Sequence, residues 1–339
     1  MRYPASSVSV IMPVHNAIPQ YFEQAVESVL NQGEKVVEII IVNDHTTSAE
    51  TISAMNSIAS LPKVRILDLL QGSGVSAGRN FGIEAARGDL IGFCDSDDLW
   101  LPGWVESATA ALDDDRTAHW VLGRHFHLLP DGTRTEAPSL AAASGLSFSS
   151  QGRVLHTAPR LTRTLISQFT CHISATIVRR DLIQKVGSFP TNLLYLEDVL
   201  AWVRMSQLSP LIEIDRFVSV YRRGIPSAST SWRALTAQAI SGWDVARHDP
   251  TLRDFRKELR WTSYSARKTL ALKNLYYGNR MQALRFAAAA LVLDPREIGE
   301  FMLFLTLMRS DKAMLRRRGG RYSQSIDDTA TIAAQLGIR

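Results

Sequence analysis

The stretch Gly88–Leu101, GDLIGFCDSDDLWL, constrains the chain more than any other. Leu90, Ile91, Phe93 and Cys94 form a short apolar run bounded by Gly88, which reads as a buried strand. That strand delivers Asp95, Asp97 and Asp98 almost side by side. Burial fixes where the carboxylates sit, and their crowding costs free energy unless a cation lies between them. Carboxylate oxygens combined with the phosphate oxygens of a substrate are ligands that Mg²⁺ or Mn²⁺ prefer. The structural alternative is a polar strand-to-helix turn, with Asp98 capping a helix opened by Pro102.

What precedes this stretch predicts the layer in which it sits. Val8, Val10, Ile11 and Met12 make a buried strand that Pro13 ends. Tyr21, Phe22, Ala25, Val26, Val29 and Leu30 then recur at helical spacing, and Gly33 stops the helix. The second strand, Val36–Val42, is nearly all apolar, as expected when both faces are covered, and it runs into the polar turn Asn43-Asp44-His45-Thr46-Thr47. A helix near Ala49–Ser60 and a strand Val64–Leu69 complete two β-α-β units. Such alternation predicts an α/β fold with a doubly wound, mainly parallel sheet. Ligands of open sheets bind outside the carboxyl ends of the strands, so His15-Asn16, Asn43-Asp44 and Asp95–Asp98 are expected in one crevice. The glycine-rich turn after Gln71 opens a helix carrying Arg79, but it has neither the Gly-Lys-Ser/Thr ending of a Walker A loop nor the GxGxxG spacing. Spacing alone favours an exposed helix charge for Arg79 over an anion contact.

Composition excludes several classes. With 339 residues, 45% hydrophobic and 21% charged, the chain is an ordinary folded protein, long enough for a large domain and an extension. A formal net charge of +5 suits an anionic substrate or membrane surface and does not mark a nucleic-acid binder. Cys94 and Cys171 have no metal-ligand spacing and read as core thiols of a reducing compartment. No apolar run reaches transmembrane length and no cleavage signature follows Met1, so a cytoplasmic protein is expected.

Further along, Trp104–Leu112 reads as a helix and Trp120–Leu129 as a strand turned by Asp131-Gly132, with His125 and His127 on an exposed strand face. Leu140–Gly152 is expected to be a small-residue loop, and Gln168–Arg179 a helix end followed by a strand. By pattern, Asp198 is the acidic N-cap of a helix carrying Val199, Leu200 and Val203. The strand Leu211–Tyr221 follows. Strand signals fade from about Ser231, which divides the chain into residues 1–230 and a helical extension, residues 231–339. Within the extension, one faint tetratricopeptide-like unit spans Gly278 to Pro295. Ile298–Met308 is apolar nearly all round, and Arg309, Lys312, Arg316, Arg317, Arg318 and Arg321 follow it. That segment reads as a buried helix, a dimer contact, or a helix lying on an anionic membrane.

Taken in order, VSVIMPVHN, EIIIVNDHT, GVSAGRNFGIEAARGDLIGFCDSDD and YLEDVLAWVR resemble the family 2 glycosyltransferases of GT-A fold over roughly the first two-thirds of the chain. The resemblance implies inverting sugar transfer from a nucleotide-sugar with a divalent cation, Mn²⁺ or Mg²⁺. By resemblance, Pro13, His15 and Asn16 border the nucleobase, with His15 where tyrosine is frequent, and Asp44 accepts a hydrogen bond from the base, with His45 where glycine is common. Arg79 lies near the base and phosphates, which overrides the reading from spacing. Asp95 and Asp97 match the DxD pair, the first near the ribose and metal and the second on the metal. His172 and Ser174 fall near the acceptor, and Asp198 matches the general base with Glu197 as its orienting neighbour. One departure stands out. The family commonly has Tyr-Arg-x-His where this chain has Tyr221-Arg222-Arg223-Gly224, so either the metal is held by fewer protein ligands, or Arg222 and Arg223 neutralise the donor phosphates in place of the histidine, or activity is reduced.

The resulting expectation is transfer from a UDP-sugar to a glycan or lipid-linked acceptor in bacterial surface polysaccharide synthesis. It places the chain in the cytoplasm without nucleic-acid partners, and leaves open both a peripheral seat at the inner face of the membrane and a homodimer. The alternative is a non-catalytic relative that binds nucleotide-sugar or glycan as an assembly subunit, suggested by Gly224 and the altered DHT turn. A nucleotidyltransferase would carry a glycine-rich loop with a basic residue after its first strand, where PVHNAIP stands instead.

Overall fold

The computed structural model describes residues 6–69, 72–168, 171–193, 195–225 and 232–309. The chain forms two compact units, Met1–Thr230 and Ser231–Arg339.

In the first unit, four parallel strands carry the sequence pattern directly: β1 (Val8–Val14), β2 (Val36–Asn43), β3 (Val64–Asp68) and β4 (Leu90–Phe93). They are joined by α1 (Pro19–Leu30), α2 (Ala49–Ile58) and α3 (Gly74–Ala85). β1 continues through Pro13 to Val14, against the expectation that proline ends it. Its pairing with β4 stops at Ile11–Phe93, so the missing proline N–H falls beyond that ladder, while Pro13 stays in register with Val42 of β2.

The rest of the unit comprises β5 (Leu99–Trp100), α4 (Trp104–Asp114), β6 (Trp120–Leu128), β7 (Arg134–Glu136), α5 (Leu140–Ala143), β8 (Arg153–His156), α6 (Arg160–Gln168), β9 (Thr176–Arg179), α7 (Arg180–Lys185), α8 (Glu197–Ser206) and β10 (Leu211–Arg222). The sheet order is β3-β2-β1-β4-β9-β6-β10-β5. β9 is antiparallel to both β4 and β6, whereas β6 and β10 run parallel. The fold is thus the expected α/β class with a parallel first half and a mixed second half, where most antiparallel neighbours are far apart in sequence.

Packing explains where α8 lies. Phe93 of β4, Phe189 and Trp202 of α8 meet edge to face at centroid separations of 5.4–6.1 Å, and Trp202 stacks on Trp120 of β6 at 5.7 Å. All four rings are buried. Burying such side chains stabilises by about 1.5–3 kcal/mol each. This cluster seats α8 on the sheet beside the end of β4.

Two local expectations change. α4 starts after Gly103, which has φ +75°, and the short strand β5 intervenes, so Asp98 does not cap that helix. The small-residue segment after Pro138 contains α5, capped by Ser139, and the buried Glu213 of β10 accepts from the Leu140 and Ala141 amides and bonds His156 at 2.9 Å.

The second unit is helical: α9 (Trp232–His248), α10 (Arg256–Tyr276), α11 (Arg280–Leu293) and α12 (Ile298–Arg309). Ala271, Leu272 and Leu275 of α10 pack with Ala283 and Ala287 of α11 and Phe304 of α12. α12 is one-sided, with Phe304 buried while Ile298 and Met302 are exposed. Among the described residues no helix is long and apolar enough to cross a membrane. The basic residues from Lys312 to Arg321 lie outside the described residues.

Candidate active site

The carboxyl ends of β1 and β2 form one hydrogen-bonded group. His15 Nδ1 lies 2.8 Å from the Asp44 carbonyl oxygen; since that oxygen only accepts, Nδ1 carries the proton. Asn16 Oδ1 accepts from the Thr47 and Ser48 amides at 2.8 and 2.9 Å, fixing the turn after β2 against the turn after β1. His45 has φ +57°, the left-handed conformation that glycine adopts freely, which gives the family's common glycine at this position a physical reason. Pro13 is buried beneath α3, whose Gly78 brings its backbone close; a Cβ there would stand 3.4 Å from Pro13 Cβ.

Asp44 differs from its assigned part in one respect. Its two oxygens accept from the Ser73 and Gly74 amides at 2.8 and 2.9 Å, so the carboxylate holds the start of α3. A nucleobase would have to share it with those amides.

Arg79 departs further. It is buried, and its guanidinium donates to both oxygens of Asp95 at 3.0 and 3.2 Å and to Glu197 at 2.8 Å. Instead of a free cation for phosphates, it is a cross-tie between the DxD turn and the start of α8. Leu196, with φ +68° at the N-cap of α8, turns the chain sharply before Glu197 and Asp198. A bulky residue in that conformation is strained, and such strain concentrates at functional sites. Asp198 therefore occupies the first turn of α8 and is not its N-cap; its Oδ1 lies 2.7 Å from the Val199 amide. Burial and the adjacent Glu197 push Asp198 up to about 7, against the pull of Arg79.

Asp97 is the uncompensated member of the acidic turn. Its carboxylate accepts from its own amide, and burial, Asp98 and Asp95 push it up to about 7. Asp98 is spent inward: it accepts from Ser174 Oγ at 2.6 Å and bonds His172 Nε2 at 2.9 Å, while Ser174 Oγ accepts the Asp95 amide at 3.1 Å. The Ser174 backbone oxygen in turn accepts from the Trp100 indole at 2.8 Å. Ser174 is fully buried in this network, and His172 lies between the rings of His125 and Tyr221 at 4.7 and 4.8 Å. Burial opposes the charged form of His172, yet Asp98 wins and raises its pKa. His125 is buried, not on an exposed strand face, and burial pushes it down to about 2.

The two arginines after Tyr221 separate. Arg222 donates to the Asp97 carbonyl at 2.7 Å and to Gln24, and stacks over Tyr21 at 4.4 Å, so it braces the DxD turn from α1. Arg222 is buried, and this commitment contradicts a free phosphate-neutralising role. Arg223 is exposed. Gly224 has φ +75°, and a Cβ there would lie 3.0–3.1 Å from Pro130. Sequence reasoning missed Tyr21 and Gln24 as braces, and Tyr195, whose ring stands near Asp198, Tyr221 and Arg223. Only the adjacency of Tyr195 to the LED motif pointed to it.

A divalent cation fits this turn in a limited way. Among the described residues no group of three His, Cys, Asp or Glu could hold a metal ion. Asp97 supplies an uncompensated carboxylate, and Asp95 is shared with Arg79. Mg²⁺ and Mn²⁺ accept such sparse protein ligation when water and substrate phosphates complete the shell.

Comparison with known proteins agrees with the motifs. The uncharacterized glycosyltransferase EpsJ of Bacillus subtilis (strain 168) is 30% identical over 196 residues, 57% of this chain and 52% of that protein. This chain therefore matches about half the length of that relative. The minor teichoic acid biosynthesis protein GgaB of the same organism is 34% identical over 110 residues, 32% of this chain and 12% of GgaB. In fold, the crystal structure of S. aureus TarS 1–349 in complex with UDP-GlcNAc matches with a TM-score of 0.62 at 17% identity, covering 94% of this chain and 93% of that one. The model of glycosyl transferase family 2 matches residues 9–187, more than half of the sequence and the part that holds nearly all of β1, the Asp95–Asp98 turn and β9, and the chain belongs to that family.

Proposed function

We propose that this protein transfers a sugar from a nucleotide-sugar, a UDP-sugar in the first instance, to a glycan or lipid-linked acceptor in surface polysaccharide synthesis. The observation that carries the reading is the Arg79 cross-tie, which joins Asp95 of the acidic turn to Glu197, the neighbour of Asp198. The structure of TarS with UDP-GlcNAc supports the choice of donor, and relatives such as GgaB support the surface-glycan setting.

In the proposed reaction the acceptor hydroxyl attacks C1 of the donor sugar from the face opposite the diphosphate. Asp198 takes the hydroxyl proton, the new C1–O bond forms, and the old bond to phosphate breaks with its electron pair leaving on the nucleoside diphosphate. C1 is inverted. A carboxylate pushed to about 7 is suited to general-base work near neutrality. Glu197, anchored on Arg79, orients the first turn of α8. A divalent cation bound at Asp97, with Asp95 beside it, would offset charge on the departing diphosphate as a Lewis acid. His15 and Asn16 are proposed to border the base, with Asp44 behind them. The helical unit is proposed as the contact to membrane, acceptor or a second copy, in a protein working at the cytoplasmic face of the cell membrane. We propose the same two-domain division, residues 1–230 and 231–339, as the functional one.

Gly224 is the observation that favours a binding-only relative. One experiment separates the readings. A panel of nucleotide-sugars with Mn²⁺, Mg²⁺ or EDTA is scored for nucleoside diphosphate release, with and without membrane extract. Turnover of one donor that requires metal and is abolished by Asp97→Ala supports the enzyme. Donor binding without release under any of these conditions would move the assignment to an assembly subunit.

A further inference from the structure

Adjacent arginines at the end of β10 point to opposite faces. The ladder pairs Tyr221 with His127 and Arg222 with Leu128, and the Arg223 amide donates to the Leu128 carbonyl at 2.9 Å, continuing that ladder. Side chains alternate along a strand. Arg222 goes to the face of α1 and the DxD turn, where all its contacts lie. Tyr221 goes to the other face, with its ring 4.8 Å from His172 and 5.8 Å from His127. Arg223 follows Tyr221 onto that second face.

The surroundings of Arg223 say which side of the site it serves. Its charge acts on Tyr195 and on His127, and Tyr195 is also influenced by Asp198 and Glu197. The charges that weigh most on Asp198 are Glu197, Arg79 and Asp95. Those that weigh most on Asp97 are Asp98, Asp95 and His172. The guanidinium is exposed and has no hydrogen-bond or ion-pair partner among the described residues. A fixed strand end thus presents an unpaired guanidinium beside Tyr195, which is 37% exposed, and the half-buried rings of Tyr221 and His127.

We propose that Arg223 recognises an anionic group, a phosphate or a carboxylate, on the acceptor next to the hydroxyl that Asp198 deprotonates. The proposal rests on the reading of Asp198 as the base. A guanidinium forks onto two oxygens of either group, and an unpaired one loses no prior ion pair in doing so. Tyr195 and Tyr221 offer flat faces against which a sugar ring carrying the charge can lie. Arg222 supplies the contrast, because the same residue type one position earlier is consumed in holding Asp97.

The test uses the full chain saturated with UDP and Mg²⁺, titrated by calorimetry with inorganic phosphate, glucuronic acid and glucose. Wild type is expected to bind at least one of the two anions saturably and glucose far more weakly; which anion binds tells phosphate from carboxylate. Arg223→Ala is expected to weaken that anion at least tenfold, Arg223→Lys to restore part of it, and both to leave the affinity for UDP unchanged. Equal anion affinity in Arg223→Ala overturns the proposal, as does an absence of anion binding in wild type. A parallel loss of UDP affinity in Arg223→Ala also overturns it, and assigns Arg223 to the donor diphosphate. Failure of wild type to bind UDP at all would instead sink the donor reading; anion binding lost only in Arg223→Ala would then still support Arg223 as the anion site.

Discussion

Arg79 and Glu197 meet at 2.8 Å across 118 positions of sequence, and the same guanidinium holds Asp95. The cation is buried, with a side chain 4% exposed, and Glu197 is nearly as enclosed at 10%. Removing one partner of such a pair leaves an uncompensated buried charge and costs about 3–5 kcal/mol. Arg79→Met is expected to lose roughly that much, read as a lowered urea midpoint with unchanged slope. Arg79→Lys keeps the charge but cannot fork to two carboxylates, so it should recover part of the stability. A variant as stable as wild type would mean that the cross-tie contributes nothing to the fold.

The carboxyls of Asp97 and Asp198 make the stability of the metal-free protein depend on pH in an unusual direction. Each is pushed up to about 7 by burial and neighbouring carboxylates, against an ordinary value of 3.8. In the unfolded chain they release protons near the ordinary value, in the folded chain only near 7. Between those limits the folded state binds more protons, so their contribution to stability is full below the lower value and lost as pH rises through the upper one. Asp97→Asn should therefore stabilise the metal-free protein at pH 8 but not at pH 4, as measured by thermal melts. A general base must be deprotonated, so transfer should rise with pH through about 7, and Asp198→Asn should lose transfer while still binding donor.

Asp98 ties together the turn after β4 and the segment before β9. Its buried carboxylate takes the Ser174 hydroxyl and His172, and Ser174 in turn holds the Asp95 amide. Asp98→Ala strands those groups, at a cost of about 1–3 kcal/mol for the desolvated donors. Trp100 gives the readout, because its indole donates to the Ser174 backbone. Its near-ultraviolet signal should change in Asp98→Ala and less so in Asp98→Asn, whose amide oxygen still accepts.

Local pattern was enough for the elements that this network joins. The apolar runs of β1, β2 and β4 and the helical spacing of α1 and α3 follow from periodicity, and the polar turns lie at the strand ends as the pattern predicts. The roles of particular side chains were less legible. Arg79 has the spacing of a surface helix residue, and only the packing of Trp202 on Phe93 brings Glu197 to it. Asp44 is taken by the Ser73 and Gly74 amides, a bond set by where α3 begins in space. β9 enters the sheet antiparallel between β4 and β6, a choice of long-range pairing that a four-residue run cannot encode. Arg222 and Arg223 were expected to act together, and it is the end of β10 in the sheet that commits Arg222 to the Asp97 carbonyl.

Gly224 offers the most direct test of whether the missing histidine can be put back. The residue sits at φ +75°, where a side chain on an L-residue costs about 1–2 kcal/mol. Its Cβ would also stand 3.0–3.1 Å from the Pro130 ring, a rigid neighbour that yields little. Gly224→His is therefore expected to be less stable by at least the backbone cost, and to gain no Mn²⁺ affinity. Gly224→Asn should be milder, since asparagine tolerates the left-handed conformation. Combining Gly224→His with Pro130→Ala removes the contact but leaves the backbone cost, so it should recover only part of the melting temperature. If Gly224→His instead bound Mn²⁺ more tightly by calorimetry at undiminished stability, the turn would be able to take the family's histidine, and the departure at this position would have no structural cause.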